Sequence, residues 1–342
     1  MLSMLLLLGQ QCRVVLAQQP PCPPPGPPEW AVILDTQAKC NCFYALAAQD
    51  LGDISIYESV YSEDSELNFP QAGSYSGPGG IGEYVAFGSK GEFISDITTA
   101  GFPIFLDFTS TGEGQCVATL AERILWNLNP VYTQDNQEAC VDVVTGVKLY
   151  YTLTGNQAAP INIQTQDIWF PDALIADGFS LLVDTPATAD FICDVNVNTC
   201  GNVEKSLRSS KSLKSSKSFK SSKSVKSSSS MVQNKAIKNC LNKLNDLPSF
   251  TTEGSLTYMD GNSKGCRMLH SFLALSNDVH CPHVSFEAEE DVNGSIKCID
   301  SKGRLPSDLF TEDEIGLFHY ASTLLGLGES ASEIRMEACS LA

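Results

Sequence analysis

At 342 residues the chain can bury two separate cores, and 43% hydrophobic with 18% charged residues is the balance of a globular protein. No run of about 20 apolar residues occurs, so the sequence offers no membrane-spanning helix. A net charge of −18, from 40 acidic against 22 basic residues, argues against nucleic acid as a partner, because phosphate contacts need cations.

Residues 1–17 read as a secretory signal peptide. Leu2 to Leu8 is apolar apart from Ser3, and Val15-Leu16-Ala17 supplies small residues before a cleavage at Gln18. The expected location is therefore extracellular or in a cell wall. Residues 18–29 form a stiff, Pro-rich spacer. A domain over 30–203 follows. Helical spacing of Trp30, Ile33, Leu34, Phe43 and Leu46 predicts a first helix, and Asp53 caps a second over Ile54 to Tyr61. Glu66 to Pro70 is a short extended piece. The Gly-rich stretch Gly77 to Gly82 reads as a turn, lacking the downstream Lys-Ser/Thr of a phosphate cradle, and leads into a short helix over Ile81 to Phe87. Strands are expected at Pro103–Phe108, Ala121–Asn127, Ala139–Thr154, Ile161–Phe170 and Ala176–Val183. Alternation is plainest at Val141, Val143, Val147, Leu149, Tyr151 and at Ile161, Ile163, Ile168. Helices first and antiparallel strands after indicate an α+β fold, a cone-shaped antiparallel sheet wrapped on the N-terminal helices.

The stretch FYALAAQDLGDISIYESVYSEDSELNFPQAGSYSGPGGIGEYVAF, Phe43 to Phe87, resembles the opening of the nuclear-transport-factor-2-like superfamily, which includes ketosteroid isomerases and polyketide cyclases. The resemblance covers about residues 30–190 and implies a SnoaL-like cone used as a pocket. Enzymes of that family place an Asp or His where the first strand ends before a Pro. Here that position is Phe69, between Asn68 and Pro70, and neither Phe nor Asn exchanges protons at neutral pH. All four His lie after residue 265. A base in this domain would have to be a desolvated carboxylate such as Asp107, Asp142 or Asp167. Trp126, Tyr132, Tyr151, Trp169 and Phe170 are the pocket-wall candidates.

Residues 204–230 differ in kind. Lys205, Arg208, Lys211, Lys214, Lys217, Lys220, Lys223 and Lys226 recur at every third position, separated chiefly by Ser. Such a segment cannot bury enough apolar surface to offset its ordering entropy and is expected to be disordered. Upstream, Gln18 to Val203 holds 23 acidic and 4 basic residues, so the cations contrast sharply with their surroundings. The spacing resembles the lysine clusters of silica-associated proteins such as silaffins. That resemblance implies a matrix-binding segment for silica or another anionic extracellular surface, tunable by phosphorylation of its serines.

A small Cys-containing, mainly helical domain is expected over 231–342. Helices are predicted at Lys235–Leu244, Gly261–Leu275 and Thr311–Leu325, the last with a Thr311/Glu314 capping box and an Ile315, Phe318, Leu325 stripe. Of 13 Cys, Cys12 lies in the signal segment and the other twelve are an even number. Seven precede the basic segment and five follow it, so complete pairing within the chain requires at least one bridge across it; flexible Cys22 is the first candidate. His280 and His283 flank Cys281 as H-C-P-H, but Cys281 reads as a disulfide member, so no metal site and no cofactor are expected. His270 reads as structural. Asn293-Gly294-Ser295 is a glycosylation acceptor.

These observations describe a secreted binding protein that docks on an anionic matrix or silica, its cone holding a small apolar ligand or serving as a scaffold. A homodimer through the sheet is a further expected association. The alternative is an isomerase, cyclase or dehydratase with a pocket carboxylate.

Overall fold

The computed structural model describes residues 60–89, 93–99, 103–110, 115–156, 159–202, 228–253, 256–287, 289–291, 296–298, 305–328 and 331–336. The signal segment, the spacer, the first helix, most of the second, the basic segment as far as residue 227 and Asn293 lie outside them; residues 228–230, expected to be disordered, open a helix. The described part forms two compact units. One, built on a sheet, takes the chain up to Pro130, Gln137–Leu174 and Arg304–Ala342; the other, mainly helical, takes Val131–Asn136 and Ile175–Gly303. This corrects the division at 203 and 231 in two ways. The described residues from Leu305 to Met336 belong with the sheet, and both described flanks of the basic segment belong to the helical unit.

In the sheet unit, β1 (Tyr61–Phe69) and β2 (Gly73–Ser76) lead into helix α1 (Gly77–Ser89). β3 (Ile94–Thr99), β4 (Ile104–Ser110), β5 (Gln115–Leu128), β6 (Ala139–Asn156) and β7 (Ala159–Trp169) follow. The strand order is β2-β1-β7-β6-β5-β3. β4 also pairs with β5, and a strand from the chain's end, β10 (Ser332–Arg335), also pairs with β6. The α+β class is as expected. The sheet departs from pure antiparallel pairing at one junction, where β1 runs parallel to β7. The Gly77–Gly82 stretch is not a free turn: it forms the first turns of α1, where Pro78 is tolerated because its missing N–H has no helical partner to lose.

Strand alternation sorts the core into two clusters. Val147, Leu149 and Tyr151 of β6 join Leu120, Ile161, Ile163, Ile168 and Leu67 on the face that α1 covers with Ile81 and Tyr84. Val144 and Ala121 point the other way, with Trp169. That second face is covered by Phe310, by Phe318 and Ala321 of helix α7 (Glu312–Leu324), and by Leu327 and Ala331. The predicted capping box is present: Glu314 N donates to Thr311 Oγ1 at 3.2 Å and Thr311 N donates to Glu314 Oε2 at 2.8 Å. Phe318 and Ile315 of the predicted stripe face the sheet, so this part of the second face is already occupied within one chain and is closed to a homodimer.

The helical unit begins where a strand was expected. Residues Leu174–Phe179 form a π-helical turn running into helix α2 (Ser180–Val183). The buried residues Leu174, Ile175, Phe179, Leu182 and Val183 fall on one helical stripe, a period that apolar content alone does not separate from a buried strand. Helices α3 (Pro186–Asp194), α4 (Ser228–Asn245), α5 (Lys264–Ala274) and α6 (Cys281–Val284) and the hairpin β8 (Thr251–Glu253) with β9 (Leu256–Tyr258) complete the unit. Three disulfides lace it: Cys193–Cys240, Cys200–Cys281 and Cys266–Cys298. The first two cross the basic segment, the role assigned to Cys22, which lies outside the described residues. Cys116 is a buried free thiol, so the framework is not fully paired. No described helix is long and apolar enough to cross a membrane.

Candidate functional site

The α1-covered face of the sheet carries a continuous row of rings. Trp126 meets Phe170 edge-on at 6.1 Å, Phe170 lies parallel to Phe69 at 5.5 Å, Phe69 leans on Tyr75 at 6.0 Å, and Tyr75 stacks on Tyr84. Two pocket candidates, Trp126 and Phe170, are therefore neighbours on this face. Tyr151 is on the same face but is wholly buried in the core. Trp169, one residue before Phe170, points to the opposite face, stacked on Phe318 at 5.3 Å and edge-on to His319 at 5.2 Å. Tyr132 belongs to the helical unit, edge-on to Phe191 at 6.0 Å. Neither Trp169 nor Tyr132 lines this face, because a one-residue step in a strand reverses the side chain and a helical turn after β5 removes Tyr132 from the sheet.

The expected carboxylate bases are elsewhere. Asp107 is exposed. Asp142 is fully buried but belongs to Arg123, which donates from Nε at 2.8 Å and Nη2 at 2.5 Å. Arg123 Nη1 also donates to the carbonyl of Leu325 at 2.7 Å, tying β5 and β6 to the end of α7. Asp167 accepts from Asn68 Nδ2 at 2.8 Å. Glu122 was not singled out by sequence, and it is the carboxylate that alternation with Leu120 sends to the α1-covered face, buried opposite Thr145. On the same face Tyr61 Oη donates a short hydrogen bond to Gln166 Oε1. The period-2 pattern of β5 carried that signal: Cys116, Ala118 and Leu120 are apolar and Glu122 interrupts them.

In the helical unit a cavity of about 270 Å³ is bounded by Asp184, Pro186, Asp190, Leu241, Leu244 and Lys264. Lys264 Nζ donates to Asp184 Oδ1 at 2.7 Å, and Ser249 Oγ donates to Oδ2. Burial pushes the Asp184 carboxyl up, but the hydrogen bonds of Lys264 and Ser249 and the Lys264 charge together hold it below the usual range. Deeper in this unit three histidines converge. His270 Nδ1 and His280 Nδ1 are 3.3 Å apart, the rings of His270 and His283 are 4.7 Å apart, and all three residues are buried. His283 Nε2 is 3.5 Å from Asp291 Oδ2. Desolvation, then the charges of His283, His280, Lys297 and Arg267, keep His270 well below the ordinary histidine range, hence neutral. Cys281 is in a disulfide, as read from sequence; the approach of His270 to the H-C-P-H pair was invisible there, because ten residues and a helix end separate them.

The eight cations of the basic segment and Asn293 lie outside the described residues. What the structure adds is their frame: Asn202 and Ser228 flank the segment, and the Cys193–Cys240 and Cys200–Cys281 bridges join the chain before it to the chain after it.

No known family model matches the sequence, and no curated protein matches it. Solved structures do. The neighbours are NTF2-like proteins. One is a nuclear transport factor 2-like superfamily protein from Salmonella enterica serovar Typhimurium, at 12% identity and TM-score 0.29, covering 41% of this chain and 92% of that one. Another is the hexachlorocyclohexane dehydrochlorinase LinA-type3 from Novosphingobium barchaimii, at 15% identity and TM-score 0.29, covering 40% and 87%. A third is a ketosteroid isomerase-like protein from Erwinia carotovora atroseptica, at 12% identity and TM-score 0.25, covering 38% and 90%.

Proposed function

We propose that this chain is a secreted, matrix-associated binding protein whose Lys/Ser segment engages an anionic surface of silica or acidic polysaccharide, while the sheet unit serves as a small-ligand pocket or scaffold. The observation that carries this reading is the pair of disulfides across the basic segment. They join the described chain before the eight cations to the described chain after them within one disulfide-laced unit, which supports reading the run as a displayed loop. Holding both ends lowers the entropy lost when the loop settles on a surface. Ammonium groups at every third residue present a dense line of charge to ionised silanols or carboxylates, and the attraction is screened by salt beyond about 8 Å at physiological ionic strength.

The test compares the mature protein with a variant in which all eight basic residues of the segment become Gln, keeping loop length and both bridges. Retention on silica or acidic polysaccharide at physiological salt is expected for the mature protein and not for the variant. Equal retention of the two, or none, removes the docking role.

A second reading rests on Glu122. A buried carboxylate on the ring-lined face is the one feature that supports an isomerase- or dehydratase-type active site there, with Glu122 as base. Its test is proton exchange at the carbon next to the carbonyl of a bound steroid or cyclic ketone probe. Exchange abolished by Glu122→Gln with unaltered melting supports the reading, and absence of exchange in the wild type ends it.

A further inference from the structure

We propose that His270, His280 and His283 form a binding site for one divalent transition-metal ion of the zinc class, clipping α5 to the segment that carries α6. The argument starts from geometry. A tetrahedral ion with metal–nitrogen bonds of about 2.0–2.1 Å holds its nitrogen ligands about 3.3–3.4 Å apart. His270 Nδ1 and His280 Nδ1 are 3.3 Å apart. The ligand atoms of all three histidines lie within 4.8 Å of one another. Binding therefore requires the three ligand atoms to close from within 4.8 Å of one another to about 3.4 Å.

The supporting frame is rigid. His270 lies on α5, one turn after Cys266, and Cys266 is bridged to Cys298. His280 and His283 stand on either side of Cys281, which is bridged to Cys200. Locked supports of this kind are what a precise ligand set needs. They also exclude thiolate from the site: Cys266, Cys281 and Cys298 are oxidised, so the donors are imidazoles only.

The outer contact is of the right kind as well. A metal-bound histidine characteristically gives its other ring N–H to a carboxylate. Asp291 Oδ2 faces His283 Nε2 at 3.5 Å, which leaves Nδ1 of His283 as its nitrogen for an ion. Three imidazole donors suit zinc, copper, nickel or cobalt and not calcium or magnesium, which take oxygen donors. Arg267 and Lys297 act on His270 as positive charges, and Asp291 is the carboxylate that faces His283. The competing arrangement is a trio of packed rings, with His270 and His280 in hydrogen-bond contact and no ion.

The experiment uses the full oxidised chain without a polyhistidine tag. The protein is loaded with Zn²⁺, dialysed and assayed for metal. Separately, Co²⁺ is added to the metal-free protein and its visible spectrum recorded. One zinc per chain and the intense bands of tetrahedral, nitrogen-ligated Co²⁺ are expected. His270→Gln and His283→Gln should each abolish retention, and Asp291→Asn should weaken it at least tenfold. Asp291→Asn leaves the helices' core residues unchanged and stays readable if the His270 variant does not fold. Wild-type protein that retains no zinc and gives no tetrahedral Co²⁺ spectrum overturns the proposal. So does zinc retained equally by wild type and the histidine variants, which places the ion among the chain's many carboxylates.

Discussion

The ring of Phe318 on α7 lies against the backbone of Gly146 on β6, with three of its carbons 2.5 Å from where a Cβ at that position would stand. Gly146 is thus a contact glycine: its missing side chain is the seat of the ring that also stacks on Trp169. Phe318 is fully buried, so it cannot swing aside. Gly146→Ala is expected to destabilise the sheet unit by about 1–3 kcal/mol through overpacking. A urea titration followed by tryptophan fluorescence measures this. An unchanged midpoint would mean that α7 is not held on the sheet at this point.

Arg123 and Asp142 make a different kind of joint. The carboxylate is fully buried and its bidentate partner also caps the Leu325 carbonyl. Arg123→Met leaves a buried charge without its counter-ion and should cost about 3–5 kcal/mol. Arg123→Met with Asp142→Leu removes both charges and should cost much less than the single change. The two variants are compared by chemical denaturation. Equal losses would show that the Nη1 hydrogen bond to the Leu325 carbonyl, lost in both variants, and not the charge pair, holds the joint.

The sheet was legible where side chains alternate. β6 and β7 lie within two residues of their expected ends because Val141 to Tyr151 and Ile161 to Ile163 alternate; Ile168 regains their face through a register shift in β7. α7 was legible from Thr311 and Glu314, which form their capping box as written. The strand expected at Ala176–Val183 was a helix: over so short a run the exposed Asp177 and the buried Phe179, Leu182 and Val183 do not separate a helical stripe from a buried strand. The placement of α7 on the sheet unit was not legible. The stripe of α7 says that it is covered, but not by what, and the basic segment invited a domain boundary that the two crossing bridges deny. At the candidate sites, residue type alone singled out Trp126 and Phe170, which the structure makes neighbours at 6.1 Å, whereas Glu122 and the His270 approach depend on pairing across the fold.

The Lys148–Glu314 contact, 2.7 Å between Nζ and Oε1, ties the start of α7 to β6. Burial pushes the Glu314 carboxyl up, but hydrogen bonds from Lys148 and the Thr311 backbone outweigh it, so its pKa sits below the ordinary 4.5. A group whose folded pKa is depressed adds stability above its unfolded pKa and loses it as pH falls through the folded value. Glu314→Gln should therefore cost about 1 kcal/mol at neutral pH. The difference from wild type should shrink towards zero as the pH drops below 4.5. Melting temperatures of both proteins between pH 3 and pH 7 (about one measurement per pH unit) give the comparison. A difference that is constant across that range would assign the effect to capping alone.

The bridges around the basic segment make a prediction about covalent connectivity. Cys193–Cys240 and Cys200–Cys281 each join the chain before Lys205 to the chain after Lys226. Trypsin cuts after Lys and Arg, and a Lys/Ser run with no core of its own is its preferred substrate. Brief digestion should therefore cleave first within 205–226. On a non-reducing gel the cut protein should keep close to its full mass, because two disulfides still hold the pieces. Reduction should release two fragments, one ending and one beginning inside the basic run. Separation of the fragments without reductant would show that neither bridge crosses the segment, and would return it to the role of a linker. Resistance to trypsin at every lysine of the run would instead mean that the segment is packed against the acidic surface of its own chain, and would leave it unavailable to an external matrix.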